Sequence, residues 1–189
     1  MNTSKNNVAL VTGASDGIGA EFVEILAGRG YDLILVARRE EKLNEIAVRL
    51  SDEFGVECTV MAADLSEPKA AQNLFQRIED RGLQVNFLIN NAGLLHNGFF
   101  AKLTLEAQEK MIQVNVIALT ALTHLYAAKM SSNGGGHILN VASLAGWMAI
   151  PNQNVYAASK AYVVSFSQAL SNEMIAANSG VQVTALCPG

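Results

Sequence analysis

The sequence is poor in cysteine, in charge and in metal-ligand patterns. Two cysteines in 189 residues are too few for a disulfide framework, and a reducing cytoplasm is the simplest location for such a chain. Charged residues make up 16% of the chain and the net charge is −4, so the broad basic field that nucleic acid or anionic lipid would require is missing. His96 and His124 have no partners at metal-ligand spacing. We therefore expect a cytoplasmic protein without a metal ion or a nucleic-acid partner.

The sequence also lacks an uninterrupted apolar run of membrane-spanning length. Its most apolar long stretch, residues 111–130, is interrupted by polar residues such as Gln113, Asn115 and Lys129, which is typical of a buried helix. Residues 1–7 are polar and lack the apolar centre of a signal peptide. We expect neither a membrane partner nor a signal peptide.

Half of the residues are apolar, as in globular proteins, and the length suits one well-buried domain over residues 1–189. Short apolar runs of strand character alternate with longer helix-like segments. The predicted strands are residues 8–12, 32–37, 57–62, 87–90, 137–142 and 181–186. The predicted helices are residues 17–29, 40–54, 68–81, 105–130 and 155–178. This alternation predicts an α/β protein, a doubly wound parallel sheet with helices on both faces in three layers.

Ligands of such sheets bind at the carboxyl ends of the strands, so the residues that follow each strand are the candidate site. The glycine loop, residues 12–19, follows the first predicted strand and opens a helix. Gly13, Gly17 and Gly19 would let the backbone turn tightly and approach a pyrophosphate, whose charge the amides at the helix N-terminus would hold. We favour a dinucleotide-binding loop over a plain turn.

The second predicted strand ends in Ala37 and is followed by Arg38 and Arg39. NAD sites usually offer a carboxylate here for the ribose hydroxyls, whereas a guanidinium can form a bidentate contact with the 2′-phosphate of NADP. Arg38 therefore favours NADP over NAD, while we expect Arg39 to be a solvated side chain. Asp16, in the glycine loop, is expected to add nothing to phosphate binding.

Polar and small residues follow the third and fourth predicted strands. Asp64, in the pair Asp64-Leu65, can accept a hydrogen bond from an adenine amino group, or it can cap the next helix together with Ser66. Residues 90–93, Asn-Asn-Ala-Gly, would let a flat ring lie against the backbone, and their amides can join neighbouring strands. A simple strand-end turn would have a similar sequence.

Tyr156 and Lys160 are four residues apart in a predicted helix and therefore share one face of it. A phenol, with a pKa of about 10, is a poor acid or base at neutral pH, and a nearby cation favours the phenolate. Such a pair could exchange a proton with a ligand. The alternative is a tyrosine that packs in the core and a lysine that stays in solvent. Ser143, directly after the fifth predicted strand, could donate a hydrogen bond to a carbonyl or alcohol oxygen.

With these motifs in this order, the sequence resembles the short-chain dehydrogenase/reductase family over residues 8–189. The matching residues are the glycine loop, Asp64-Leu65, residues 90–93, Asn115, Ser143, Tyr156, Lys160 and Pro188-Gly189. The resemblance implies a Rossmann fold and hydride transfer between a nicotinamide cofactor and a small-molecule carbonyl or secondary alcohol. It also implies the NADP-preferring branch, because residues 31–39 are similar to those of that branch, many of whose members are reductases.

The resemblance assigns catalytic roles to four residues. In the family, the tyrosine matching Tyr156 exchanges a proton with the substrate oxygen, and the lysine matching Lys160 holds the nicotinamide ribose and favours the phenolate. Ser143 would orient the substrate oxygen, and Asn115 would hold a water that relays protons to Lys160. Judged from the sequence alone, Asn115 would be a buried asparagine at a helix kink.

The implied cofactor contacts are spread over the whole chain. They are Gly13, Ser15, Gly17, Ile18, Gly19, Arg38, Asp64, Leu65, Asn91, Ala92, Gly93, Tyr156, Lys160, Pro188 and Gly189. Family members often pair through the helices that match residues 105–130 and 155–178, so we expect a homo-oligomer. Six apolar side chains could line an apolar substrate cleft or pack in the core: Leu94, Leu95, Phe99, Phe100, Trp147 and Met148.

The resemblance departs from the family pattern at its C-terminal end. Family members usually continue beyond the residues that match Pro188-Gly189 with a mobile loop, helices that cover the substrate and a seventh strand. This comparison predicts a form truncated after the sixth strand, with weak cofactor binding and slow turnover. A catalytically silent nucleotide-binding, sensing or scaffold protein of the same fold is the alternative. A flavodoxin-like FMN protein would leave Tyr156 and Lys160 without a purpose.

Overall fold

The computed structural model describes residues 7–189, in which six strands form one parallel sheet. The strands are β1 (Val8–Thr12), β2 (Asp32–Ala37), β3 (Cys58–Ala62), β4 (Phe87–Asn90), β5 (Gly136–Val141) and β6 (Val181–Leu186). Their spatial order is β3-β2-β1-β4-β5-β6, and all five pairs are parallel. The predicted doubly wound sheet of the Rossmann type is confirmed. The signal-peptide prediction rests mainly on residues 1–6, which lie outside the described residues.

Helices cover both faces of the sheet. They are α1 (Gly17–Ala27), α2 (Glu40–Phe54), α3 (Ala70–Glu79), α4 (Leu105–Ile112), α5 (Leu119–Ser132) and α6 (Asn154–Ala176), with short 3₁₀ turns at Phe100–Lys102 and Leu144–Trp147. Successive side chains of β1 point to opposite faces of the sheet, as in any β-strand. Ala9 and Val11 pack with α1 and α2, and Leu10 packs with α3 and α5 on the other side. These two cores produce the three-layer architecture.

The predicted helix over residues 105–130 is interrupted. Residues Gln113–Ala118 form a π-helical segment that joins α4 to α5. By length and composition the combined helix, Leu105–Ser132, could cross a membrane, but half of its most apolar window is buried inside the protein. Leu122, Tyr126 and Met130 of this helix belong to the core against the sheet. Packing in the core therefore accounts for its apolar character.

Element ends differ from the predictions where the backbone turns left-handed. The helix predicted from residue 68 begins at Ala70, because Lys69 has φ +61 and cannot belong to an α-helix. The helix predicted to end at residue 178 ends at Ala176, and Asn178 has φ +48. Asparagine is one of the few residues that adopt this conformation at little cost.

Buried amides join the neighbouring strands β4 and β5 to the helices beneath them. The Asn90 side chain donates hydrogen bonds to Asn140 Oδ1 at 2.9 Å and to Thr123 Oγ1 at 3.0 Å. Asn140 in turn donates to Ser167 Oγ at 3.0 Å. These bonds connect β4 and β5 to α5 and α6. They hold in place the two strands whose carboxyl ends carry the candidate site.

Candidate active site

The glycine loop connects β1 to α1 at the point where the strand order reverses, between β1 and β4. Gly13 has φ +68, and a Cβ built there would lie 2.8 Å from Asn91 Nδ2. A Cβ on Gly19 would lie 2.5 Å from the same nitrogen and would collide with the Gly13 carbonyl. Gly17 has φ +52, and its outer side is open. The loop thus closes tightly on Asn91 and leaves its other side open for a ligand.

Asn91 holds the glycine loop in place from the end of β4. Its Nδ2 donates to the Thr12 and Gly13 carbonyls at 3.0 and 3.2 Å. The backbone amides of Asn91 and Ala92 both donate to Thr12 Oγ1 at 3.0 Å. These bonds tie the ends of β1 and β4 together and line the crevice with backbone.

The N-terminus of α1 fits a pyrophosphate. The helix begins at Gly17 with Asp16 as its N-cap, and the Asp16 side chain makes no capping hydrogen bond. The amides of the first turn and the helix dipole can therefore act on an anion in the crevice. Ser15 is buried beside them, and Ile18 is 43% exposed at the mouth. The glycines, backbone amides and dipole are what a dinucleotide loop requires.

A cavity of about 210 Å³ extends from the glycine loop over β2 and β3. Its walls contain the residues predicted for the adenosine end of the cofactor: Gly13, Ser15, Arg38, Asp64, Leu65, Ala92 and Gly93. Arg38 is exposed at this cavity, and its charge helps to lower the pKa of Asp64. The structure therefore brings this group of predicted residues together.

Arg39 corrects one expectation, since it is not simply a solvated side chain. It forms an ion pair with Asp16, and its Nη2 donates to Ser15 Oγ at 3.2 Å. Lys42, in the first turn of α2, forms a second ion pair with Asp16. Lys42 was not among the predicted site residues. Its position three residues after Arg39, on the same helix face, was the available signal.

Asp64 lies at the adenosine end of the crevice but does not have the capping role that was its alternative. Its Oδ1 accepts hydrogen bonds from the Ser66 amide at 2.9 Å and from the Ser66 hydroxyl at 2.7 Å. Burial alone would raise the pKa of this carboxyl, but the two Ser66 bonds and the Arg38 charge bring it below its ordinary value. The Ser66 contacts shape a local turn and do not cap α3, whose N-cap is Lys69. Asp64 remains in the wall of the adenosine-end cavity.

A second cavity, of about 260 Å³, lies at the carboxyl ends of β4, β5 and β6. Ser143, Tyr156 and Lys160 share its wall, although they come from the end of β5 and from α6. The other predicted cofactor contacts in this wall are Ile18, Asn91, Gly93, Pro188 and Gly189. The Leu144 amide donates to the Pro188 carbonyl at 2.8 Å, which joins the residues after β6 to those after β5.

Lys160 is a buried cation beside an aromatic ring. The residue is 5% exposed, and its Nζ lies 5.7 Å from the centroid of the Tyr156 ring. Nζ donates to the Val141 carbonyl at 2.7 Å. Burial lowers the pKa of Lys160 to about 8, although the nearby Cys187 acts in the opposite direction. The alternative of a lysine in solvent is therefore wrong. Strongly perturbed pKa values in a cleft are typical of functional sites.

The turn that carries Ser143 packs directly against α6. Ser143 Oγ accepts a hydrogen bond from the Ala145 amide at 3.1 Å and caps the 3₁₀ turn. A Cβ on Gly146 would lie 2.9 Å from both the carbonyl carbon and the oxygen of Lys160. Only a glycine allows this close approach. Gly146 was missed in the sequence, where a single glycine three residues after Ser143 was the available signal.

Asn115 lies in the π-helical segment and anchors the residues after β4. Its Oδ1 accepts from the Leu94 amide at 2.8 Å, and its Nδ2 donates to the Leu94 carbonyl at 2.9 Å and to Ser159 Oγ at 3.0 Å. These contacts match the buried asparagine at a helix kink. A Cβ on Gly93 would lie 3.5 Å from Asn115 Oδ1 and 3.6 Å from Lys160 Nζ, so the two side chains flank this glycine. The water relay stays a prediction.

Most of the candidate apolar cleft residues are exposed. Leu95, Phe99, Phe100, Trp147 and Met148 are between 49% and 64% exposed. The alternative that these five side chains pack in the core is therefore wrong. Leu94 is half-buried and packs against the core. Within residues 7–189, no group of three or more His, Cys, Asp or Glu side chains is placed to hold a metal ion.

Comparison with known proteins gives concordant results. A family model for short chain dehydrogenases matches residues 7–189. An uncharacterized oxidoreductase of Staphylococcus saprophyticus is 34% identical over 185 residues, which cover 98% of this chain and 78% of that protein. A very-long-chain 3-oxoacyl-CoA reductase of Phaeosphaeria nodorum is 38% identical over 171 residues, which cover 88% of this chain and 50% of that protein. The chain thus spans from half to about four fifths of the length of these relatives.

A solved structure resembles the whole described fold. The short-chain dehydrogenase of Sphingobium yanoikuyae, in complex with NADPH, superposes with a TM-score of 0.90 at 38% identity. The match covers 96% of this chain and 70% of that protein.

Proposed function

Because this chain belongs to the short-chain dehydrogenase family, as its motifs predicted, we propose that it transfers hydride between NADPH and a carbonyl or secondary alcohol, with Tyr156 as the general acid and base. The observation that carries the proposal is the shared cavity of Ser143, Tyr156 and Lys160. On this proposal, residues 1–189 are one domain that both binds the dinucleotide and carries the catalytic groups.

The proposed roles of the side chains are those that the family resemblance implies, and their shared cavity supports them. The nicotinamide, when bound, supplies or accepts the hydride. The Ser143 hydroxyl donates a hydrogen bond to the substrate oxygen, and the Tyr156 hydroxyl gives that oxygen its proton during reduction. The Lys160 ammonium, 5.7 Å from the Tyr156 ring centroid, stabilises the phenolate left behind. In oxidation the same phenolate takes the proton from the alcohol.

The charges at the adenosine end favour NADP over NAD. β2 ends in Ala37 and is followed by Arg38, whose guanidinium lines the cavity there. Arg39 and Lys42 add two more cations on the same side of the glycine loop. Cations of this kind suit a 2′-phosphate. The NADPH complex of the similar Sphingobium protein supports the same choice.

The surroundings of the catalytic cavity favour an apolar substrate. Leu95 lies in its wall, and Leu144 and Trp147 are 49% and 60% exposed in the turn that follows Ser143. Exposed apolar side chains that form a contiguous patch often mark a ligand-binding surface. A ketone with apolar substituents is the proposed substrate class. The similarity to the very-long-chain 3-oxoacyl-CoA reductase of Phaeosphaeria is consistent with it.

The test is NADPH consumption, followed by absorbance, against a panel of apolar ketones and aldehydes together with a direct titration of NADPH and NADH. We expect NADPH to bind more tightly than NADH, and at least one ketone to be reduced. Binding of NADPH with no turnover on any carbonyl or alcohol would favour the silent nucleotide-binding alternative. Failure of both cofactors to bind would overturn the proposal.

Self-association and a cytoplasmic location also belong to the proposal. Ile112 on α4, Ile117 in the π-helical segment and Tyr162 on α6 expose apolar surface, and the Tyr162 hydroxyl hydrogen-bonds to Thr120 of α5. Light scattering on the purified protein should give the mass of a dimer or larger species. A monomer at micromolar concentration would contradict this part of the proposal. A fluorescent fusion seen outside the cytoplasm would contradict the location.

A further inference from the structure

Asp16 interacts with the neighbouring helix and leaves its own helix uncapped. As the N-cap of α1 it has φ −154 and ψ 164, the usual extended conformation, yet its carboxylate makes no hydrogen bond to the amides of α1. It forms ion pairs instead with Arg39 and Lys42, at the start of α2. Ser15 Oγ joins the group by accepting from Arg39 at 3.2 Å. One carboxylate therefore holds two cations from the adjacent element.

This group borders the cavity at the adenosine end. Ser15, Asp16, Arg38 and Arg39 all line that cavity, which also contains Asp64. A phosphate on the adenosine ribose would need the cations there, because it is an anion with three acceptor oxygens. The Asp16 carboxylate already forms ion pairs with Arg39 and Lys42. A carboxylate and a phosphate that both contacted these cations would lie close together, and the two negative charges would repel each other.

We propose that Asp16 is a specificity-determining residue, an internal carboxylate that competes with the 2′-phosphate of NADPH for Arg39 and Lys42. This inference rests on the proposed function, in which the crevice binds a nicotinamide dinucleotide. Asp16 lowers the affinity for NADPH relative to NADH, because NADH has no phosphate at that position. Arg39 and Lys42 are the cations that the phosphate takes over when it displaces the carboxylate.

The expected effect is modest, because the cluster is half exposed. The side chains of Asp16, Arg39 and Lys42 are 54%, 59% and 39% exposed. Ion pairs this accessible are weakened by water and by salt. Removal of the Asp16 charge should therefore tighten NADPH binding about threefold to tenfold, at low ionic strength, the range set by one or two exposed ion pairs.

The experiment compares Asp16→Asn with the unmodified protein by calorimetric titration of NADPH, NADH, adenosine 2′,5′-bisphosphate and ADP. The variant keeps the size of the side chain and removes its charge. The matched control is Glu53→Gln, which also removes a half-exposed carboxylate paired with an arginine, Arg49, but at the far end of α2. We expect tighter NADPH and bisphosphate binding in Asp16→Asn alone, with NADH and ADP within about twofold, and with the gain lost at high salt.

A second variant keeps the test independent of how well Asp16→Asn folds. Lys42→Gln should weaken NADPH binding about threefold or more and leave NADH binding within about twofold. Unchanged or weaker NADPH binding in a folded Asp16→Asn protein would overturn the inference. Equal NADPH affinity in Lys42→Gln and in the unmodified protein would overturn it as well. If neither NADPH nor NADH bound the unmodified protein, the proposed function itself would fail, which separates the two outcomes.

Discussion

The ammonium of Lys160 donates a hydrogen bond to the backbone carbonyl of Val141 at 2.7 Å, and this bond joins α6 to the carboxyl end of β5. It also fixes the lysine beside the Tyr156 ring, inside the cavity that Ser143 lines. A buried cation is costly, because it loses its hydration. Such a cost is typical of a group retained for binding or catalysis.

Cofactor binding should weaken as the pH rises above about 8. Burial lowers the pKa of Lys160 to about 8, so the side chain is mostly charged below that pH and mostly neutral above it. The proposed contact with the nicotinamide ribose is stronger for the charged form. Titration of NADPH between pH 6.5 and 9.5 should show this decline in the unmodified protein and in Tyr156→Phe, which keeps the lysine. Affinity that is constant over this range would contradict the assignment.

Replacement of Lys160 by methionine should not destabilise the protein at pH 7. A fall of the lysine pKa from 10.5 to about 8 corresponds to about 3 kcal/mol by which folding disfavours the charged form. This cost is fully present below pH 8. It disappears as the pH rises to 10.5, because the unfolded chain then loses its proton too. The free energy of unfolding of Lys160→Met at pH 7 should equal that of the unmodified protein or exceed it by up to about 3 kcal/mol.

Denaturant unfolding at pH 7 and pH 10 checks this expectation. The unmodified protein should gain stability from Lys160 between these two pH values, and Lys160→Met should lack that gain. A loss of about 2 kcal/mol or more at pH 7 in the variant would mean that the lysine is a structural residue.

Gly146→Ala should separate the Ser143 turn from α6. The new Cβ would lie 2.9 Å from the Lys160 backbone, so the turn must shift. We expect a loss of about 1–3 kcal/mol in stability and a lower kcat, with little change in NADPH affinity. If the loss of kcat comes from displacement of Ser143, the double variant Ser143→Ala/Gly146→Ala should be no slower than the worse single variant. Fully additive losses would exclude that explanation.

Gly19→Ala should weaken dinucleotide binding. Its Cβ would lie 2.5 Å from Asn91 Nδ2 and would collide with the Gly13 carbonyl, so the glycine loop must open away from β4. NADPH affinity should fall at least about tenfold by fluorescence titration, the fall expected when a tight turn that positions backbone donors is displaced. Gly28→Ala, at the other end of α1, is the control, because its Cβ would meet its nearest atom at an ordinary 3.5 Å. Equal effects of the two variants would contradict this account of the loop.

The sequence predicted the sheet because each strand is a short apolar run that ends in polar or small residues. It suggested a buried asparagine at a helix kink for Asn115, but it could not predict the π-helical segment there or the bonds between Asn115 and the distant Leu94. The predicted start of α3 and the predicted end of α6 were also wrong: nothing in the local sequence marks Lys69 as left-handed, and Asn178, which tolerates that conformation, was included in the helix. Prediction was best where the local sequence pattern determines the structure. It was worst where the structure depends on contacts between residues that are far apart in the sequence.

The candidate site shows the same division. The strand-end position of Ser143 and the four-residue spacing of Tyr156 and Lys160 in a helix pointed to one site, and the three residues do line one cavity. Arg38 was predicted to contact the phosphate and Arg39 to be a solvated side chain, whereas Arg39 forms an ion pair with Asp16. Which of two adjacent arginines reaches the loop depends on side-chain packing between α1 and α2. Sequence spacing does not contain that information.

The central claim, that Tyr156 exchanges the proton with the substrate oxygen, is tested most directly by Tyr156→Phe. The variant keeps the ring beside Lys160 and removes only the hydroxyl. With a ketone that the unmodified protein reduces, kcat for NADPH oxidation should fall by about 10²-fold or more, while the NADPH dissociation constant stays within about twofold. Undiminished kcat in the folded variant would contradict the claim.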